Sequence, residues 1–253
     1  MNTKNDRASW LKSGNANCSV PPSPAAHPVR LILLGPPGVG KGTQAELLCR
    51  HSGACHLSTG DVFRAAKSLP ASEQSAAMKT ALQSMARGEL VSDETVLEMV
   101  RERKKCLACP AGFLLDGFPR TVNQAEALEV LLKEGNLPLT AVVNYEMAID
   151  KIVARLAGRR TCSKCKAVFH TVNLPPKKEG ICDHCGAPLI QREDDRPESI
   201  RVRMKAYQKS TKPLIDFYQK RGVLLTVSAE GTPEEGCKNT LAALEKFSAK
   251  RAK

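Results

Sequence analysis

The nine residues Gly35-Pro36-Pro37-Gly38-Val39-Gly40-Lys41-Gly42-Thr43 contain the spacing G-x-x-x-x-G-K, with Gly35, Gly40 and Lys41 at its fixed positions. Glycines at this spacing let the backbone turn its N–H groups inward around an anion. A helix that starts there adds the positive end of its dipole. The lysine then supplies a point charge to phosphate. The pattern usually continues with Ser or Thr, whose hydroxyl meets Mg²⁺, but here Gly42 follows and Thr43 comes one place later. A second set of residues points to metal chemistry. Cys162-Ser-Lys-Cys165 and Cys182-Asp-His-Cys185 are two C-x₂-C pairs with sixteen residues between them. Each pair presents two thiolates from a tight turn, and two such turns make a closed tetrahedral site for structural zinc. Oxidation to disulfides is the competing reading, and His184 could replace one sulfur. Cys106 and Cys109 form a third pair with no partner pair and read as plain thiols. Cys18, Cys49, Cys55 and Cys237 are isolated, and His170 reads as a hydrogen-bonding or surface residue.

A phosphate loop needs a strand before it and a helix after it. The run Val29-Arg30-Leu31-Ile32-Leu33-Leu34 ends at a glycine, as a buried parallel strand does. Phe113–Leu115, Ala141–Tyr145 and Val223–Val227 are further strands, and a short one ends near Leu57. Helical periodicity falls between them, over Thr121–Lys133 and Ile149–Leu156, and over a long helix Pro197–Arg221 bent near Pro213. Strands alternating with helices imply a mostly parallel sheet and an α/β fold. Residues 161–195 break the alternation. They hold both Cys pairs and Pro175-Pro176 but too few apolar side chains for a core of their own, which calls for a covalent or metal staple. Residues 1–28, with four prolines and no apolar period, read as a flexible extension; a transit peptide fits them loosely.

Composition narrows the function. With 253 residues, 42% of them hydrophobic, the chain can build a sizeable core, and no apolar run approaches the roughly 18 residues needed to span a bilayer. The formal charge of +12 suits an anionic partner. Aromatics are only 4%, too few for the stacking platforms of single-strand nucleic-acid binding. Ten cysteines in a chain of this length, with no secretory signal at its start, read as thiols and metal ligands rather than disulfides.

Beyond the phosphate loop, which Gln44 extends, the chain carries Leu57-Ser-Thr-Gly-Asp61 with Arg64, Leu115-Asp-Gly-Phe-Pro-Arg-Thr121 with Gln124, Gly158-Arg-Arg160 and Gln191-Arg-Glu-Asp-Asp195. From about Leu31 onward these motifs, in this order, resemble the adenylate kinases, and the Cys pairs resemble the long-lid bacterial type. The resemblance implies a three-layer P-loop fold with a five-stranded parallel sheet, a helical AMP-binding subdomain near 58–91 and a small zinc-binding lid near 160–196, all within 29–253. It implies that Gly38, Val39, Gly40, Lys41, Gly42 and Thr43 hold ATP phosphates, with Arg159, Val168 and Phe169 also meeting ATP. Thr59, Arg64, Glu89, Leu90, Val91, Gly117, Phe118, Pro119, Arg120, Gln124, Arg192 and Arg203 would meet AMP. Lys41, Arg120, Arg155, Arg159, Arg192 and Arg203 would stabilise the transferring phosphoryl group, Asp116 would hold Mg²⁺ through water, and Asp194 and Asp195 would serve lid closure. The segment around Ser68–Ser75 departs from the family as a small insertion before Gly88.

The arginines make physical sense without the family. Phosphoryl transfer spreads charge over phosphate oxygens and needs positioned cations more than proton chemistry, and the planar fork of Arg matches phosphate. The reaction implied is MgATP + AMP = 2 ADP, in a cytoplasmic monomer that binds neither nucleic acid nor membrane. Another nucleoside monophosphate kinase, or a GTP:AMP phosphotransferase, is the nearer alternative. A zinc-ribbon nucleic-acid-binding protein is the distant one, and it leaves the motifs at 35–44 and 115–124 unexplained.

Overall fold

Val29–Leu34 (β1) is a strand because its side chains are apolar on both faces, and Leu31 to Leu34 are all buried. The computed structural model describes residues 28–66, 76–87, 89–102 and 107–251. The expected extension up to residue 27, the expected insertion around Ser68–Ser75, Gly88 and Cys106 lie outside the described residues.

After β1 the chain forms α1 (Lys41–Ser52), β2 (Cys55–Ser58), α2 (Thr59–Ala66), α3 (Ala76–Arg87), α4 (Asp93–Glu102), β3 (Gly112–Asp116) and α5 (Val122–Glu134). It continues through β4 (Ala141–Glu146), α6 (Ile149–Gly158), β5 (Arg159–Cys162), β6 (Val168–His170) and β7 (Leu189–Ile190). Then come α7 (Pro197–Ala206), α8 (Pro213–Lys220), β8 (Leu224–Ser228) and α9 (Pro233–Arg251). The five strands β2-β3-β1-β4-β8, in that order, form a wholly parallel sheet, the fold class the sequence implies.

The period-2 alternation of the strands splits the core into two layers. Ile32, Leu34 and Val142 face one way and pack with Leu128 and Leu132 of α5 and Leu214 and Tyr218 of α8. Leu31, Leu33, Val143 and Tyr145 face the other way and pack with Leu48 of α1 and Leu244 of α9. Every crossover returns to the same edge of the sheet, so the C-terminal ends of β1, β3 and β4 open together. Open parallel sheets bind their ligands there.

The expected helix Pro197–Arg221 is not continuous. Residues Tyr207–Thr211 form a π-helical turn, in which the Lys212 N–H donates to Tyr207 O at 2.8 Å. Pro213 has no N–H to donate and its ring crowds the preceding turn, so the ladder widens ahead of it. Strands β5, β6 and β7 make a separate antiparallel sheet in the order β6-β5-β7. Its apolar core is small: Cys162, Phe169 and Cys182 are buried, with Ala167, Ala187 and Leu189 around them. Among the described residues no helix is long and apolar enough to cross a membrane.

Candidate active site

β1 delivers the chain into the glycine loop between β4 and α6, where space is tight. Gly35 has φ +133°, and a Cβ on it would lie 2.6 Å from Tyr145 O; a Cβ on Gly38 would lie 2.6 Å from Leu156 Cγ. A side chain at either position would push the loop off the sheet, so these glycines set where its N–H groups stand. Lys41 opens α1, and its Nζ donates to Gly35 O at 2.7 Å and Pro36 O at 2.9 Å. Burial pulls its ammonium down to about 8 from an ordinary 10.5. The nearby Asp116 carboxylate opposes this shift, and repulsion from Arg120, Arg203 and Arg159 adds to it. The residues that the sequence scatters over 160 positions thus share one electrostatic neighbourhood.

Asp116 ends β3 beside α1. A Cβ on Gly42 would stand 3.4 Å from Asp116 Oδ2, so a larger side chain at this position would sit against the carboxylate. The glycine in place of the usual hydroxyl residue leaves that side of Asp116 clear. On its other side His56 Nε2 stands 3.6 Å from Asp116 Oδ2, and both side chains are largely buried.

The arginines come from four places. Arg155, on α6, donates from Nη1 to Val39 O at 3.4 Å and from Nη2 to Gly231 O at 3.3 Å, tying the phosphate loop to the segment before α9. Arg159, at the start of β5, grips Asp195 through both Nε, at 2.6 Å, and Nη2. Arg203, on α7, donates to the same carboxylate at 3.1 Å and to Asp194 O at 2.8 Å. Arg192 donates to Thr161 Oγ1 at 2.8 Å. Asp195 is 1% exposed, and two arginines hold it.

A second cavity adjoins this cluster, lined by Thr59, Gly60, Phe63, Met85, Leu90, Val91, Val96, Gly117, Arg120 and Gln124. Thr59 Oγ1 and Arg120 Nε both donate to Gly117 O, at 2.9 and 2.8 Å. Phe118 is buried, and Pro119 follows it through a cis peptide bond. Of the residues expected at this cavity, Glu89 is exposed and pairs with Arg87 at 2.8 Å. Arg64 lies on α2, and its side chain is outside the described residues. In the small sheet Val168 is partly buried, while the Phe169 ring is buried among the cysteines, 5.8 Å from the His184 ring. An open groove between the far end of α1 and α9, lined by Leu47, Arg50 and Leu241 among others, lies away from all of these groups.

The four lid cysteines are free thiols whose sulfurs all lie within 4.8 Å of one another. Cys162 Sγ to Cys185 Sγ is 3.4 Å and Cys165 Sγ to Cys182 Sγ is 3.5 Å. These separations are far too long for disulfides and close to the roughly 3.8 Å edge of a tetrahedron with metal–sulfur bonds of about 2.3 Å. The group fits a metal ion. The Ala187 N–H, with the Cys162 sulfur next in effect, draws the Cys185 thiol down to about 6, while burial pushes Cys165 up to about 12. One thiolate in such a cluster discourages the next, a conflict that a dication resolves.

A model of the family described as adenylate kinase matches residues 33–223. The chain belongs to the adenylate kinase family. It is 46% identical over 202 residues to an adenylate kinase of Desulforamulus reducens, covering 80% of this chain and 93% of that one. It is 45% identical over 224 residues to an adenylate kinase of Streptomyces avermitilis, with 88% and 100% covered. It is 46% identical over 220 residues to one from Thermodesulfovibrio yellowstonii, with 86% and 100% covered. Membership makes the chain a phosphotransferase that binds ATP, AMP and ADP and uses Mg²⁺ with ATP.

Some groups at this candidate site carry no signal in the sequence. His56 sits in an ordinary strand context and gives no local signal. The segment 229–233 receives Arg155 at Gly231 O and Gln44 Nε2 at Pro233 O, the latter at 2.9 Å. Both contacts use backbone carbonyls, which side-chain patterns do not reveal. Asp93, in the first turn of α4, binds three side chains of the 121–124 turn.

Proposed function

We propose that the protein catalyses the reversible reaction MgATP + AMP = 2 ADP with the residues brought together at the C-terminal edge of the sheet. The observation that carries this reading is the convergence of Asp116, Arg120, Arg159 and Arg203 around Lys41, beside the cavity of Thr59, Gly117 and Gln124. Two anionic nucleotides must meet with phosphates adjoining, and a chain that gathers four cations from four elements is suited to that meeting.

The loop Gly38–Thr43 would cradle the β- and γ-phosphates through its N–H groups, and Lys41 would leave its own loop carbonyls for phosphate oxygen. Arg155 holds the loop against the segment before α9 through Val39 O and Gly231 O. The AMP base would enter the cavity with Thr59, Leu90, Val91 and Gln124, its phosphate facing Arg120 and Arg64. Arg159, Arg192 and Arg203 would close on the transferring group, where planar forks match its equatorial oxygens. Mg²⁺ would lie by water beside Asp116 on the side that Gly42 leaves clear, and when bound it neutralises developing phosphate charge. The lid 160–196 would fold over ATP and keep water from the γ-phosphate. Its Val168 and the Phe169 backbone would face the nucleotide, since the Phe169 ring is committed to the lid core. The lid metal is read as structural zinc, because four sulfurs leave no open position. Free thiols suit the cytoplasm. One chain supplies every group needed, so a monomer suffices, and nothing here calls for nucleic acid.

The test is ADP formation from MgATP with AMP, CMP, UMP or GMP as acceptor, and with GTP replacing ATP. AMP and ATP are expected to give the largest kcat/KM. Preference for a pyrimidine acceptor, or for GTP, would move the assignment to the neighbouring activity. A linked ATP–AMP analogue is expected to slow hydrogen exchange across the lid amides, and unchanged exchange would remove the lid from the mechanism.

A pH dependence follows from Lys41. Polyphosphate favours its ammonium form, so nucleotide affinity is expected to fall about tenfold per pH unit above 8. The free protein moves the other way. Folding disfavours this charge, and the penalty is fully present below pH 8 and relieved as pH rises from about 8 to 10.5. Calorimetric ATP titrations and thermal melts across that window check both signs. A flat affinity would show that Lys41 does not meet the phosphates.

A further inference from the structure

Gln124 is 2% exposed at the edge of the AMP cavity, and both ends of its carboxamide are bonded. Its Oε1 accepts the Arg120 N–H at 2.8 Å, and its Nε2 donates to Asp93 Oδ1 at 2.6 Å. The other carboxylate oxygen, Oδ2, accepts from Thr121 Oγ1 at 2.9 Å and from Asn123 Nδ2 at 3.0 Å. Thr121 Oγ1 in turn accepts the Gln124 N–H at 3.1 Å, the N-cap of α5. A carboxylate offers only acceptors and a backbone N–H only donates, so this frame admits one orientation of the amide. The flipped amide would set Nε2 against the Arg120 N–H and Oε1 against the Asp93 carboxylate, two repulsive pairs in place of two bonds.

We propose that Asp93 is a specificity-determining positioning residue that selects 6-amino over 6-oxo purine monophosphates by locking the carboxamide of Gln124. This inference rests on the reading of that cavity as the AMP site. Adenine presents a donor at its 6-amino group and an acceptor at N1, whereas hypoxanthine presents the reverse order. A carboxamide presents one acceptor and one donor, and its flip exchanges them. A base whose phosphate is held by Arg120 reaches the cavity wall in one pose, so the fixed order of Oε1 and Nε2 admits one of the two patterns. Asp93 acts from α4, behind Gln124, and needs no contact with the nucleotide. A lock of this kind rejects the wrong base by leaving its polar edge unpaired.

Asp93→Asn tests it directly. If the asparagine oxygen keeps Thr121 and Asn123, its amide meets Gln124 with a donor. Either orientation of Gln124 then faces one donor with another, and the lock is lost. The expected result is an increase of about tenfold in KM for AMP with a smaller change in kcat. The ratio of kcat/KM for AMP over IMP is expected to fall by about tenfold or more. Asp93→Asn with Gln124→Glu restores every acceptor to the frame, so its melting temperature should recover while the AMP-over-IMP ratio stays low. Asn123→Ala removes a bond to the same carboxylate without freeing the amide, so it should keep the ratio. An Asp93→Asn protein that loses stability or turnover with its AMP-over-IMP ratio intact overturns the proposal, as does a double variant that regains the ratio along with its melting temperature. Should Asp93→Asn not fold, the double variant and Asn123→Ala decide. Failure of the underlying reading is seen separately, as wild-type protein that makes no ADP from AMP.

Discussion

Replacing Lys41 with alanine is expected to lower the turnover of MgATP and AMP by about two to three orders of magnitude, the scale on which one preorganised charge-stabilising donor acts. The geometry supports an effect of this size. Lys41 is the first residue of α1, its ammonium is held within the glycine loop, and partial burial draws its pKa down to about 8. A charge partly withdrawn from water meets phosphate with less solvent screening than one at the surface. Folding should not suffer in proportion. Burial and repulsion from Arg120, Arg203 and Arg159 disfavour the ammonium in the folded protein, so its loss should leave the melting temperature unchanged or raise it. A coupled ADP assay and a thermal melt on the same preparation check both halves. Near-normal turnover in a folded Lys41→Ala protein would count against the proposed reaction.

The second large effect concerns the lid. Reduced protein is expected to carry about one zinc per chain, the capacity of a single four-sulfur site, and Cys162→Ser to lose it. Cys162 is fully buried at the centre of a core that otherwise holds little beyond Phe169 and Cys182. Apparent binding energies of such sites reach roughly 10 kcal/mol or more, larger than anything so few apolar contacts can supply. The strands β5, β6 and β7 should therefore lose protection from hydrogen exchange well before the parallel sheet, and the melting temperature should drop. Turnover at low temperature should suffer less than in Lys41→Ala, because the metal orders the lid and does not meet phosphate. Elemental analysis that finds neither zinc nor iron would show the site to be misread. Chelation that stops phosphoryl transfer while the lid stays folded would show the metal to be catalytic.

What could be read from the sequence was what repeats locally. The β1 strand and the glycine loop carry their whole signal within ten residues or fewer and the two C-x₂-C pairs within 24, and all are found in place. The helix after β3 was also legible, because Val122, Ala125, Leu128 and Leu132 recur at helical spacing; the structure adds that Thr121 is its N-cap, whose oxygen accepts the Gln124 N–H. The wide turn at Tyr207–Thr211 was not, although the proline behind it was noticed, because periodicity does not say whether a helix meets a proline by bending or by adding a residue to one turn. Its placement matters for the site, since Thr211 Oγ1 donates to Arg120 O at 2.9 Å. α9 has few apolar residues on its buried side: Gly236, Thr240 and Leu244 are its buried positions. Gly236 lies where a Cβ would stand 2.7 Å from Gln44 Nε2, and Thr240 bonds the phenol of Tyr145 at 3.1 Å. A face built from a glycine and a threonine looks polar in sequence and packs only because its partners are specific. Asp93 and His56 belong to the same class, since their partners lie 28 to 60 residues away.

Asp195 gives this cluster of arginines a counter-ion of its own. Arg159 and Arg203 share one carboxylate that is almost wholly out of water, so two of the cations gathered near Lys41 are already neutralised in part from within the chain. In the proposed reaction an incoming polyphosphate does not fill an empty cationic hole. It trades places, at one or both arginines, with an anion the protein carries. Anion exchange of this kind releases few ions to the medium, so nucleotide affinity should depend less steeply on salt than a net charge of +12 suggests. It also means that the arginines keep their spacing between turnovers, held by a resident that stands where a phosphate's charge will come.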